Sequence, residues 1–434
     1  MICSRLDYTS FQDWPNFKNW LFKRFEKDQS VDQSVGDIIH NVREHGDRAL
    51  LEYTRKFDCP DFDSSLINVN YQRLKQAADN LTFEERDIIT EAIQNIQDFH
   101  RRQLENSWMS TQNKGMIVGQ LARPVKSAGL YVPGGKSGET PLVSSLIMNA
   151  VPALVAGVDN INVVTPPGKD ADVNPYTLAT AYLLGLENFY AVGSAWAVAG
   201  LALGTETLPQ VDIISGPGNI YVTTAKKIVS EFVGIDMLAG PSEILVLADY
   251  TANPEWIAAD MLSQAEHDEL ASAIMITTSH DLMDMVESAL KRQLEELPRK
   301  EIARQSLQKW GGLIRVPDTE TGIDLINRIA PEHLELAIND PWSCLESIQN
   351  AGAIFLGHYC PESVGDYFAG PNHILPTLST AKFSSALSVQ DFCKKSSFIY
   401  SNREYIQRQG DKISKLARLE GLEAHARSTL KRNE

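Results

Sequence analysis

Between residues 129 and 357 short apolar runs alternate with helical patterns, and this alternation constrains the chain more than any other feature. Gly129–Val132, Ile161–Thr165, Phe189–Val192 and Val211–Ile214 read as strands. Pro141–Ala156, Pro175–Leu184, Ala195–Leu203 and Gly218–Phe232 read as the helices between and after them. A second series follows: strands at Ile244–Ala248, Ala273–Thr277, Leu334–Ile338 and Ala353–Gly357, and helices from Asn253-Pro254, over Leu282–Leu297, Gly322–Ile329 and Pro341–Asn350. Strands that follow helices at this spacing cannot pair as hairpins, so the pattern predicts an α/β fold with mostly parallel sheets covered by helices. The segment from about 130 to 236 is self-contained enough to be an inserted domain.

The flanks differ. Residues 1–24 are polar and aromatic and read as an arm. Residues 31–128 are mainly helical, with helices expected over Ser34–Asp58, Asn70–Ala77 and Thr82–Trp108, then a short hairpin strand at Met116–Arg123. Thr82 followed by Glu84 and Glu85 is a helix-start signal. Beyond about 380 the chain is polar and charged with a helical stretch at Asn402–Glu420, a tail that must pack on its own body or on a second subunit.

Composition narrows the function classes. Asp+Glu 56 against Lys+Arg 40 gives a formal charge of −16, which disfavours a nucleic-acid surface or a polybasic membrane patch. The longest apolar stretch, Ala191–Gly204, is too short to span a bilayer, and the first residues lack the apolar core of a signal peptide. Cys3, Cys59, Cys344, Cys360 and Cys393 are scattered, with no CxxC. Free thiols and a cytoplasmic location are expected.

No GxGxxG follows a strand, and P-loop, HExxH and GxSxG patterns are absent. Ser215-Gly216-Pro217-Gly218-Asn219 lies between a strand and a helix, where backbone N–H groups can hold a phosphate or simply make a tight turn. Gln264 and His267 stand three apart on one helix face, with side chains able to contact a divalent cation. Asp366 and His373 sit in Gly-rich segments just past a strand end. Glu332 and His333 are adjacent at a strand entry, a carboxylate and an imidazole suited to base and water activation. Neighbouring residues point apart, so each would address a different atom. Glu420 and His425 lie on the tail. Singly, each of these residues is equally well explained as a capping or surface group.

Taken together, in order, they are specific. GLYVPGG (129–135), SGPGNIYVTTAKK (215–227), GIDMLAGPSEILVLAD (234–249), LSQAEHD (262–268), NRIAPEHLEL (327–336), GDYFAGPNHILPT (365–377), FSSALSVQDF (383–392) and EGLEAHA (420–426) closely resemble the histidinol dehydrogenase family over nearly the whole chain. That resemblance implies an oxidoreductase of histidine biosynthesis, which takes L-histidinol through the aldehyde to L-histidine with two NAD. It implies one zinc per subunit, held by Gln264, His267, Asp366 and His425, the last from the partner subunit's tail. The zinc is expected mainly to anchor the substrate. His333 would be the general base and Glu332 would activate water. Ser242, His373 and Glu420, together with the zinc-binding residues and His333, would contact substrate, and Tyr131 and Asn219 would contact NAD.

The resemblance also implies two incomplete Rossmann-like domains with short arms, assembled as an intertwined homodimer. The organisation expected is an arm at 1–24, a zinc- and substrate-bearing domain from 25–128 and 237–380, an inserted NAD-side domain at 129–236, and a dimerising tail at 381–434. None of the five cysteines falls in a matched catalytic segment, so water rather than a thiol is expected to attack the aldehyde.

One position departs from the family pattern. Many members have Gly-Gly-Ala-Gln-Ala, with the Gln on NAD; here the stretch is Gly193-Ser194-Ala195-Trp196-Ala197. Trp196 either stacks on a cofactor ring or obstructs the family's NAD pose, and it is counted among the cofactor-side residues. The departure leaves room for a relative that oxidises another small polar alcohol. Joint retention of Ser242, Glu332, His333, His373 and Glu420 argues for histidinol.

Overall fold

The computed structural model describes residues 2–25, 29–134 and 141–433. The chain opens with β1 (Ser4–Asp7) and α1 (Trp14–Phe22), then α2 (Gln29–His45), α3 (Asp47–Phe57), α4 (Tyr71–Asp79) and α5 (Phe83–Arg101). Next come β2 (Trp108–Ser110), β3 (Met116–Pro124), β4 (Ser127–Tyr131), α6 (Val143–Ala156), β5 (Asn160–Thr165), α7 (Pro175–Leu183), β6 (Asn188–Ala191) and α8 (Ser194–Leu203). They are followed by β7 (Ile213–Ser215), α9 (Ile220–Val229), β8 (Gly234–Ile235), β9 (Glu243–Ala248), α10 (Pro254–Ala265), β10 (Ser272–Thr277), α11 (His280–Leu294) and α12 (Lys300–Trp310). The last part holds β11 (Gly312–Arg315), α13 (Thr319–Ile329), β12 (His333–Ala337), α14 (Trp342–Leu345), β13 (Ala353–Leu356), α15 (Glu362–Tyr367), β14 (Cys393–Ser401), α16 (Arg403–Leu419) and α17 (Glu423–Leu430).

Two sheets are wholly parallel. One has the order β1-β11-β10-β9-β12-β13, the other β6-β5-β4-β7-β8. Both are flanked by helices, as the βα alternation requires, and β9, β10 and β12 are buried along their whole length. The α/β expectation therefore holds. In the five-stranded sheet the strand order reverses between β4 and β7, which is where a crevice opens at the carboxyl ends of doubly wound sheets.

Several elements differ from the sequence reading. Ser34–Asp58 is two helices, because Gly46 takes φ 51° between α2 and α3, a left-handed conformation that ends the first helix. The helix from Thr82 stops at Arg101, and Trp108 begins a strand. Thr82 caps it as expected, accepting from the Glu85 amide while Glu85 reaches back to the Thr82 amide. The residues read as an arm include β1, which pairs with β11 at the sheet edge. The tail contains β14, which pairs antiparallel with β3 in a third sheet, β14-β3-β2. Buried residues of α2–α5, among them Val35, Leu50, Leu74 and Ile96, share one core with the five-stranded sheet. Gly135, the last residue of the GLYVPGG segment, lies outside the described residues.

Candidate active site

The six-stranded sheet gathers polar residues at the amino ends of its central strands. Glu243 and His333 are the first residues of β9 and β12, with Ser242 and Glu332 just before them. Odd-numbered residues of β12 face α10: Ala337 shares a core with Ile257, Ala258 and Met261, whereas Leu334 and Leu336 pack on the opposite layer. So His333 and Glu335 both face α10, whose last turn carries Gln264. Asn253 caps that helix and Pro254 occupies its first turn, as the sequence signals require. On the far side, α15 supplies Glu362 and, four residues on, Asp366.

These side chains converge. His333 Nδ1 lies 3.0 Å from the Glu243 carbonyl oxygen, and the Glu243 N–H donates to Glu332 Oε2 at 2.8 Å. Glu332 and His333 thus hold opposite sides of one residue's backbone. Their closest approach is 3.7 Å, which is no hydrogen bond. Donation from Nδ1 to a carbonyl fixes the tautomer with its lone pair on Nε2. His333 Nε2 is buried without a hydrogen-bond partner, 3.7 Å from Glu362 Oε1 and 3.8 Å from Asp366 Oδ1. One end of the Gln264 amide sits 3.2 Å from His333 Nδ1 and from both Glu362 carboxylate oxygens. The other lies 3.5 Å from His267 Nδ1, and His267 itself is exposed at the rim. His373 Nδ1 lies 3.1 Å from the Asp366 carbonyl. The neighbouring Asn372 donates to the Met148 carbonyl of α6 at 2.7 Å, so this segment ties the site to the other sheet's helices.

Electrostatics follow from burial. Desolvation pushes His333 down to about 3 and His373 down to about 4, so both imidazoles are neutral. Burial raises Glu332 and Glu362 well above the usual carboxylate range, and nearby carboxylates raise them further. Arg24, which pairs with Glu243, partly offsets the rise at Glu332. Burial pushes Asp366 up to about 7. Deeper along β12, Glu335 lies beside Asp260, and burial next to that carboxylate pushes Glu335 up to about 9.

The buried acids around the unpartnered His333 nitrogen form a cluster able to hold a metal ion. His333, Glu362 and Asp366 can present ligand atoms all within 4.8 Å of one another. The donors are nitrogen and carboxylate or amide oxygen, with no thiolate, a set that suits zinc. Glu362 and Glu243 were not singled out from the sequence. Glu362 stands four residues before Asp366, and that spacing is a signal that both face one way.

The remaining expected residues lie apart from this cluster. Glu420 and His425 are exposed on the α16–α17 hairpin, and among the described residues no hydrogen bond or ion pair joins either side chain to the cluster. Tyr131 ends β4, and its hydroxyl accepts from the Ser194 N–H at 3.2 Å. Asn219 is exposed at the start of α9 and caps it, accepting from the Tyr221 and Val222 amides. Both therefore flank the β4/β7 crevice. Trp196 is only 3% exposed; its Nε1 donates to Thr54 Oγ1 at 3.1 Å and its ring stacks on Tyr53 and Phe57 of α3. The indole is taken up by packing between α8 and α3.

The histidinol dehydrogenase family model matches residues 22–433. The chain is 55% identical over 428 residues to the histidinol dehydrogenase of Oleidesulfovibrio alaskensis, covering 99% of both chains. It is 53% identical over 433 residues to that of Nitratidesulfovibrio vulgaris, covering 100% of this chain and 99% of the relative. The crystal structure of histidinol dehydrogenase from Elizabethkingia anophelis superposes with a TM-score of 0.93 at 38% identity, over 99% of this chain and 98% of that one. The chain belongs to the histidinol dehydrogenase family.

Proposed function

We propose that this chain oxidises L-histidinol to L-histidine in two NAD-dependent steps, both at the amino ends of β9 and β12. The observation that carries this reading is His333: buried, neutral, with Nδ1 engaged by the Glu243 carbonyl and Nε2 without a partner. A base oriented in this way can accept a proton at one defined atom. Gln264, His267 and Asp366 would hold the zinc, completed by His425 of the partner subunit. Ser242, His373 and Glu420 of the partner subunit would border the substrate. When bound, zinc supplies an anchor for the substrate's amine and imidazole nitrogens, and NAD supplies the hydride acceptor.

His333 Nε2 takes the alcohol proton as hydride leaves the carbinol carbon, giving the aldehyde. Glu332 then removes a proton from water as the oxygen adds to the carbonyl carbon; its raised affinity for protons suits it to that role. His333 returns its first proton to the oxyanion formed in that addition, giving the hydrate, and then takes a hydroxyl proton from the hydrate as the second hydride leaves, giving the acid. Tyr131 and Asn219, on either side of the β4/β7 crevice, would position the cofactor. The tail supports a shared site: Leu416 and Leu419 on α16 are 62% and 79% exposed in the single chain, apolar surface that a second copy would cover as a homodimer.

His333→Asn tests the assignment. Loss of a general base lowers turnover by about 10²- to 10⁴-fold, while zinc content and the circular dichroism spectrum stay as in the wild type. Wild-type turnover in that variant would remove His333 from the reaction.

A further inference from the structure

We infer that Asp260 and Glu335 form a positioning pair that sets α10, β12 and the first turn of α15 at the spacing the metal-binding side chains require. The inference deepens the reading of the cluster as a zinc site and rests on it. Asp260 precedes Gln264 by one helical turn, and Glu335 follows His333 by two strand residues, so each pair shares a face. Four residues of helix rise about 6 Å, and two residues of strand rise about 6.6 Å. The helix and strand therefore meet at two successive levels. At one, Gln264 reaches His333; at the next, the Asp260 and Glu335 side chains face each other across one small cleft.

The same Glu335 carboxyl reaches a third element. Its Oε1 accepts from the Glu362 N–H at 2.8 Å, which holds the start of α15 and so the Glu362 and Asp366 side chains above it. Glu335 is 4% exposed, so this bridge is shielded from water. An amide at 335 keeps an acceptor oxygen for the Glu362 N–H, and an amide at either position supplies an N–H to the facing side chain, whereas alanine removes the contact. The pair has no contact with substrate or cofactor in the proposed reaction; it acts through Gln264, His333 and Glu362.

The test measures zinc affinity by competition with a chromogenic chelator on the full-length protein. Glu335→Ala weakens zinc binding by about tenfold or more, whereas Glu335→Gln and Asp260→Asn, which retain a donor across the bridge, remain within about threefold of wild type. Leu290→Ala, a buried truncation on α11, serves as the control: it lowers the melting temperature without changing zinc affinity. If Glu335→Ala does not fold, Asp260→Ala, at the half-buried end of the pair, carries the same expectation. Zinc held as tightly by the alanine variant, failure of Glu335→Gln to restore it, or equal weakening by Leu290→Ala would each overturn the positioning role. Wild-type protein that takes up no zinc would overturn the metal-site reading, and this inference with it.

Discussion

The site's chemistry is set residue by residue through desolvation. His333 and His373 stay neutral because their surroundings disfavour a buried cation, and four carboxyls beside or behind them hold protons more tightly than they would in water. The consequence for stability has a definite sign. For His333 and His373, with folded values near 3 and 4, the unfolded chain binds more protons between those values and about 6.5, so stability is lost as pH falls through that window. For Asp366 and Glu335, raised to about 7 and about 9, the folded chain binds more protons. Their contribution is complete below about pH 4 and disappears as pH rises through 7 to 9. Zinc-free protein should therefore melt progressively lower from pH 7 to 9 as Glu335 ionises, and zinc-loaded protein, stabilised by its bound ion, should melt above it throughout. Thermal melts of chelator-treated and zinc-loaded protein across that range check this. A flat alkaline limb in the zinc-free protein would contradict the buried-acid picture.

At the scale of elements, the loop from β7 to α9 is held from beneath. Lys226 of α9 and Asp236 are fully buried and ion-paired; Lys226 also donates to the Gly216 carbonyl at 3.0 Å, and Asp236 accepts from the Gly216 N–H at 2.8 Å. Gly216 has φ 123°, and a Cβ there would lie 2.1 Å from the Tyr131 carbonyl oxygen. Gly216, which packs closely against the end of β4, is thus held by one buried pair. Lys226→Met leaves Asp236 buried and uncompensated, which should cost about 3–5 kcal/mol, read from urea unfolding; a loss below about 1 kcal/mol would mean that the pair is solvated. Neither Lys226 nor Asp236 stood out in the sequence, because burial of a charge is a property of packing. The βα alternation was legible because its strands are buried on both faces and its helices carry caps such as Asn253 and Asn174. The short β11, the edge strand β1 and β14 were not. β14 is mostly exposed and pairs with β3, some 270 residues earlier, so its local pattern carries little strand signal.

The whole molecule shows what one chain lacks. Ordered motifs along the sequence identified the family and most of the cluster, whereas Glu362 became visible only when α15 was placed against β12. The tail residues Glu420 and His425 remain outside the cluster in the single chain, and no helix among the described residues is long and apolar enough to cross a membrane. A shared site makes a specific demand. A dimer of one His333→Asn chain with one His425→Ala chain carries both defects in one site and none in the other, so it should regain about half of wild-type activity per dimer, although each variant alone is inactive. Coexpressed, separately tagged chains purified through both tags provide the measurement, and mixed dimers without activity would show that the tail serves its own chain's site.

The central claim is a four-electron oxidation at one zinc-bearing site. The most direct test counts NADH formed from a limiting amount of L-histidinol, with zinc measured on the same purified sample. Two NADH per L-histidinol, L-histidine as product and about one zinc per chain are the result the account predicts. One NADH with aldehyde released, or no turnover in protein that carries its zinc, would contradict it.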